Sequence, residues 1–147
     1  MRKTFIFRQM DLPPSVAMTK RSLLRWFALS FGLLSEKESR VTVLNVLDSL
    51  FHFLLSKKIA PSTLDIQAFI AEKHNQKISE KLVRYHLNRL ISLELVVRKN
   101  KRYYFNNSPF DEPNSLKNSF SYWIKQPVNS SMNNIEDVLG KLVENYK

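Results

Sequence analysis

Apolar positions recur along the chain at helical spacing in five segments and at strand spacing in one. The first helix is predicted over "TKRSLLRWFALS", Thr19 to Ser30, with Gly32 placed to stop it. Ser35-Glu36-Lys37-Glu38 reads as a capping box opening a second helix that runs to about Ser56. Along it Val43, Leu47, Leu50, Phe51 and Leu54 fall at i, i+4, i+7, i+8 and i+11, a core stripe. Val46 and Phe53 lie off that stripe and need a second partner, for which the first helix is the candidate. Pro61 with Ser62-x-x-Asp65 starts a third helix, whose apolar side reads as Leu64, Ala68, Phe69 and Ala71. After the polar exit His74 to Lys77, Ser79 starts the next helix, so the two must turn sharply against each other.

That fourth helix opens the stretch "ISEKLVRYHLNRLISLELVVRKNKRYYF", Ile78 to Phe105. Stepping ~100° per residue from Lys81 collects Lys81, Arg84, Tyr85, Asn88 and Ser92 in one polar sector. Leu82, Val83, Leu87, Leu90 and Leu93 lie opposite. The helix is therefore amphipathic, with a basic, hydrogen-bonding outer face. "LELVV" and "RYYF" then predict two short strands around a tip at Lys99-Asn100-Lys101, where Asn tolerates the positive φ such turns require.

Beyond "NNSPFDEPN" the periodicity lapses, placing a boundary near Asn106. A short helix over Leu116 to Lys125 is predicted to end at Gln126-Pro127. After the polar "NSSMNN", Ile135, Val138, Leu139, Leu142, Val143 and Tyr146 form a helical stripe that must be buried somewhere, against the domain or against a second subunit. The organisation is thus an N-terminal basic segment and helix (1–35), a central domain (36–106) and a C-terminal helical extension (107–147). The fold class is mainly α with a small β-hairpin.

Composition narrows what this architecture can be for. The 147 residues suit one domain with appendages; 44% are hydrophobic and two are glycine, against disorder and against Gly-rich phosphate loops. Cysteine is absent, which excludes disulfides and thiolate chemistry and fits a reducing compartment. The apolar start of "MRKTFIFRQMDLPP" is broken by Arg8 and Asp11 before a signal-peptide core develops. The uncharged run from Trp26 to Ser35 falls far short of the ~18 residues of a spanning helix. A cytoplasmic protein with no membrane association is expected.

The net charge of +10 is unevenly placed. Residues 1–25 hold six basic groups against one acidic and residues 78–105 seven against two, whereas the remaining segments are close to neutral. Basic blocks of this kind favour polyanions through counterion release. On the outer face of the fourth helix, Arg can grip guanine, Asn can read adenine, and Lys and Tyr can hold phosphates.

From the helix at Thr63 through the short turn, "ISEKLVRYHLNRLISLELV" and "VVRKNKRYYF", the sequence resembles the winged helix-turn-helix regulators of prokaryotic transcription, over roughly Arg40 to Phe105. The resemblance implies a winged helix-turn-helix with extra N- and C-terminal helices. It implies a recognition helix whose groove-facing residues are Ser79, Glu80, Lys81, Arg84, Tyr85 and Asn88. It also implies a wing tip at Lys99, Asn100, Lys101 and Arg102. The expected partner is double-stranded DNA, bound by a homodimer acting as a transcription regulator. Many members of that family carry Gly before the Leu-Val that opens the wing; here Glu94 stands there, which makes a left-handed corner less comfortable.

Two other readings use the same residues: a module docking on an acidic protein, or an RNA or single-strand binder stacking bases on Tyr103, Tyr104 and Phe105. The latter is disfavoured because adjacent strand residues point to opposite faces. Arg84 could instead pair with a nearby carboxylate, and Arg98 to Arg102 could guard a strand edge. His52 and His86 read as boundary histidines and His74 stands alone in a turn, so no metal site is expected. No nucleophile elbow, phosphate loop or zinc-protease signature is present, and neither a catalytic activity, a cofactor nor a small-molecule ligand is expected. For the N-terminal block, Arg2, Lys3 and Arg8 could lie on phosphates. The favoured alternative makes "TFIF" a strand added to the hairpin. Dimerisation is expected through one of two elements, the C-terminal helix or its rival, the first helix (Leu23, Leu24, Trp26, Phe27, Phe31).

Overall fold

Thr19 opens the first helix, α1 (Lys20–Ser30), its hydroxyl accepting from the Ser22 N–H. In the computed structural model, which describes residues 3–35, 41–113 and 115–147, α1 closes at Gly32 with φ +70°. There Leu33 N–H donates to Ala28 O and Gly32 N–H to Leu29 O, the paired bonds of a Schellman motif. Any Cβ at Gly32 would also sit 2.7 Å from Ile6 O. Glycine is thus required twice, by backbone conformation and by the chain passing over it.

Helix α2 (Thr42–Phe51) continues through one wide π turn, His52–Ser56, in which Lys57 N–H reaches back to His52 O. The capping box predicted at Ser35 to Glu38 lies largely outside the described residues. Of the predicted stripe Val43, Leu47, Leu50 and Leu54 are buried and Phe51 is half-buried; Val46 is buried too, on a helix that packs against α1. Helix α3 (Thr63–His74) carries the full reciprocal cap, with Ser62 Oγ accepting from Asp65 N–H and Asp65 accepting from Ser62 N–H. Its interior face is Thr63, Ile66 and Ile70, whereas Leu64 and Ala68, expected inside, are exposed. Apolar residues lie all round this helix, so periodicity could not choose between two faces, and packing seats the two isoleucines.

Helix α4 (Glu80–Ser92) is capped by Ser79, whose Oγ accepts from Leu82 N–H, and it buries Val83, Leu87 and Leu90. It packs on α2 and α3 to make a three-helix core. The turn between α3 and α4 is held from inside: Gln67 donates to Ile78 O, and Gln76 accepts from the buried Asn45 amide while donating to Thr42. After α4 the chain turns through Glu94 at φ +66°, with Leu95 N–H to Leu90 O and Glu94 N–H to Ile91 O. The corner is therefore a Schellman motif with glutamate in the position glycine favours, and Glu94 is paired with Lys3. Strands β1 (Val96–Lys99) and β2 (Arg102–Phe105) follow as a two-stranded hairpin. It is anchored by Tyr103, whose N–H donates to Pro61 O and whose ring is buried.

Residues 4–7 form no strand, which corrects the expected third strand. They and their neighbours instead cover α1: Phe5 lies against Phe31, Trp26 donates to Asp11 O, and Arg8 donates to Leu29 O and Leu34 O from its guanidinium and to Ser30 O from its backbone. Much of the aromatic face of α1 is thereby spent within the chain. Arg2 lies outside the described residues.

The chain divides into two compact units, Met1–Tyr104 and Phe105–Lys147. In the second, α5 (Leu116–Phe120), a π turn (Ser121–Lys125) and α6 (Gln126–Asn145) form one uninterrupted helical run. The stop expected at Gln126-Pro127 does not occur. In the π turn Gln126 N–H bonds five residues back to Ser121 O, and Pro127 follows directly on that widened turn. Of the two burials expected for the C-terminal stripe, the one within the chain is not seen, because α6 has no buried residue.

One buried-edge charge gives the first unit a pH dependence. Asp48 on α2 accepts from Lys73 Nζ at 2.9 Å and His74 Nε2 at 2.7 Å. Burial by itself raises this carboxyl, but the hydrogen bonds and charges of Lys73 and His74 outweigh it and hold Asp48 below its ordinary value. A depressed carboxyl contributes stability above its unfolded pKa and loses it as pH falls through the folded one. The thermal midpoint should therefore drop as pH falls below about 4, and Asp48→Asn should flatten that acid limb. Superimposable acid limbs in the two proteins would remove Asp48 from this role.

Candidate nucleic-acid interface

Helix α4 presents two separated faces. With Val83, Leu87 and Leu90 turned inward, Lys81, Arg84, Tyr85, Asn88 and Ser92 are all exposed, as is the cap residue Ser79. Glu80 belongs to the same surface and pairs with Arg84 at 2.8 Å, an i,i+4 ion pair with both side chains more than 40% exposed. Such a pair is worth only ~0.3–0.5 kcal/mol, so Arg84 can exchange it for another acceptor at little cost. Tyr85 stands with its ring edge-on to His86, which is half-buried.

The hairpin tip is tighter than the three residues suggested by sequence. Asn100 and Lys101 alone link the strands, at φ +50° and +64°, the signature of a two-residue turn with both positions left-handed. Asn suits the first position. At the second, where glycine is preferred, the chain keeps a lysine in a conformation costing about 1–2 kcal/mol. Lys99, Asn100 and Lys101 are exposed.

Arg102 is placed differently from its neighbours. Its guanidinium donates to Ala60 O at 2.7 Å and lies 3.6 Å from the Asp65 carboxylate, tying β2 to the segment that leads into α3. Arg98 approaches the Tyr103 ring, 6.0 Å from its centroid. Lys57 and Lys58, outside the contact set expected from the sequence, are exposed just upstream of Ala60 and Pro61, the two residues that bond the hairpin. Lys58 also has positive φ, +57°. The paired lysines at the end of a helix, followed closely by proline, were the available signal.

Two arginines counted with the surface charge are committed elsewhere. Arg89 on α4 donates to Gly32 O and Leu33 O at 3.0 and 3.1 Å, and Arg8 reaches the carbonyls of Leu29 and Leu34. Both close the C-terminal end of α1, where cations are favoured. His52 stacks on Phe69 with centroids 4.6 Å apart, and His74 is held by Asp48. Among the described residues no three His, Asp or Glu side chains converge on a common point that could hold a metal. None of the described helices is long and apolar enough to cross a membrane. Comparison with protein-family models, with curated proteins and with solved structures finds no match to this chain.

Proposed function

We propose that the chain is a winged helix-turn-helix protein that binds double-stranded DNA sequence-specifically and regulates transcription. In this reading α4 is the recognition helix in the major groove and the β1–β2 hairpin is the wing on the flanking backbone. The observation that carries it is the outer face of α4, where Lys81, Arg84, Tyr85 and Asn88 stand exposed in one stripe on a helix fixed from behind. That stripe offers bidentate base readers beside phosphate holders, the mixture a groove requires. Lys101 adds support, since a lysine kept where glycine would relieve strain suggests that its charge is used. Ser79, Glu80, Lys99, Asn100 and Arg102 complete the proposed contact set, with Arg102 the least available because the body of the domain holds it.

The Glu80–Arg84 pair favours a second reading, in which the same face docks on an acidic protein and the glutamate helps select it. Selection of bound sequences from random duplex DNA by the full chain, followed by affinity measurements against salt, separates the two. DNA binding predicts an enriched motif and a linear fall of log affinity with log salt. On that motif Arg84→Ala should cost ~1–3 kcal/mol and relax preference at one base position. No enrichment, together with no binding at low salt, would overturn the proposal.

A further inference from the structure

We infer that α6 is a self-association element whose apolar face forms the seam of a parallel coiled coil with a second copy of this chain. On this helix Met132, Ile135, Leu139 and Leu142 are between 47 and 59% exposed. With Val128 and Tyr146 they are spaced alternately four and three residues apart. That seven-residue alternation, kept over five successive steps, is the repeat along which helices wind around each other, and Val138 and Val143 flank it on the same face. In that register Val128, Ile135 and Leu142 occupy d positions and Met132, Leu139 and Tyr146 occupy a positions, over a seam of ~27 Å.

The helix also needs a partner on its own account. Gly140 has nothing near the place a Cβ would occupy, so no packing requirement explains it. A mid-helix glycine there costs about 1 kcal/mol relative to alanine. Asn129, Asn133 and Asn134 are further weak helix formers. A segment of such low intrinsic propensity, with no buried side chain, holds its helix better once its apolar face is covered.

The charges point to a second copy as the occupant. Asp137, Lys141, Glu144 and Lys147 lie away from the seam, and among the residues flanking it Glu136 is the one charge. A partner of opposite charge would find no row of ions to recognise, while a second copy brings matching neutral flanks. Aligned parallel, Ser131 of one helix faces Glu136 of the other, and Val138 faces Val143, widening the apolar contact. The antiparallel alignment that pairs the same six layers sets the two Glu136 side chains against each other, a like-charge contact that destabilises it. Leu139 at a with Ile135 at d also occurs in assemblies of more than two strands, so the mass has to be measured.

This inference is independent of the DNA reading, and its test contains no DNA. Sedimentation equilibrium of the full chain over roughly two decades of concentration should show a mass rising to a multiple of the monomer. Leu139→Asp combined with Leu142→Asp should give a monomer throughout that still unfolds cooperatively, both side chains being exposed in the single chain. Because the chain has no cysteine, Tyr146→Cys supplies a single thiol. In a parallel pair two such thiols meet and mild oxidation yields a linked dimer, whereas antiparallel helices hold them ~27 Å apart. A wild-type chain monomeric at every concentration, or an oligomer indifferent to the double aspartate variant, overturns the proposal. An oligomer whose Tyr146→Cys variant does not cross-link overturns the parallel arrangement.

Discussion

Alanine at Lys81, Lys99 and Lys101 together should weaken duplex DNA binding by roughly 500-fold at about 0.1 M salt. The size follows from counterion release: each phosphate contact contributes ~0.9 to the slope of log affinity against log salt, hence a factor of about eight at 0.1 M relative to 1 M. Three lost contacts multiply to that figure and flatten the slope by ~2.7. Among the described residues none of the three lysines has a carboxylate partner, in contrast to Lys3, Lys73, Arg84 and Arg102. All three are exposed, so the substitutions should leave stability within about 0.5 kcal/mol. Fluorescence anisotropy against salt, with circular dichroism as the folding control, reads both quantities. A folded triple variant with an unchanged slope would detach the hairpin and the start of α4 from DNA binding.

The residues behind that prediction were legible because a local rule decides them. An amphipathic helix has one phase, and the run of Leu82, Val83, Leu87 and Leu90 fixes it, so Lys81, Arg84, Tyr85 and Asn88 had to emerge on the far side. Helix starts at Ser62 and Ser79 were readable for the same reason, their caps being satisfied within three residues. At Glu94 the local rule was right about the cost and silent about the outcome. The left-handed corner forms with glutamate in place, fixed by backbone bonds to Leu90 and Ile91.

Where the structure departs from the local pattern, partners distant in sequence decide it. "TFIF" has strand composition, yet α1 offers Phe31 and a glycine that lets the chain approach closely, and the segment covers that helix instead. Helix α3 offered apolar residues on every side, and the face turned inward depends on what α2 and α4 present. Pro127 predicts a stop because a proline normally breaks the hydrogen bond four residues back; the π turn before it has already moved the register. At the hairpin the strand pattern located the tip, but the two-residue turn is visible only in the backbone angles of Asn100 and Lys101.

Arg89→Met is expected to destabilise the first unit by about 2–4 kcal/mol while leaving the salt slope of DNA binding unchanged. Methionine keeps the apolar stem but withdraws both donors from Gly32 O and Leu33 O, 57 and 56 residues away in sequence. Each bond from a charged donor is worth about 1.5–3 kcal/mol, and the two share one guanidinium, so the loss is less than their sum. The thermal midpoint of that unit should fall by roughly 8–20 °C, taking about 4–5 °C per kcal/mol for a unit of its size. Arg89→Lys should recover only part of this, because an ammonium cannot present the planar fork that meets two carbonyls at once. Differential scanning calorimetry of the three proteins measures the series. A midpoint in Arg89→Met within about 2 °C of wild type would show that these carbonyls are satisfied without it. A reduced salt slope in a folded variant would return Arg89 to the DNA-contacting surface.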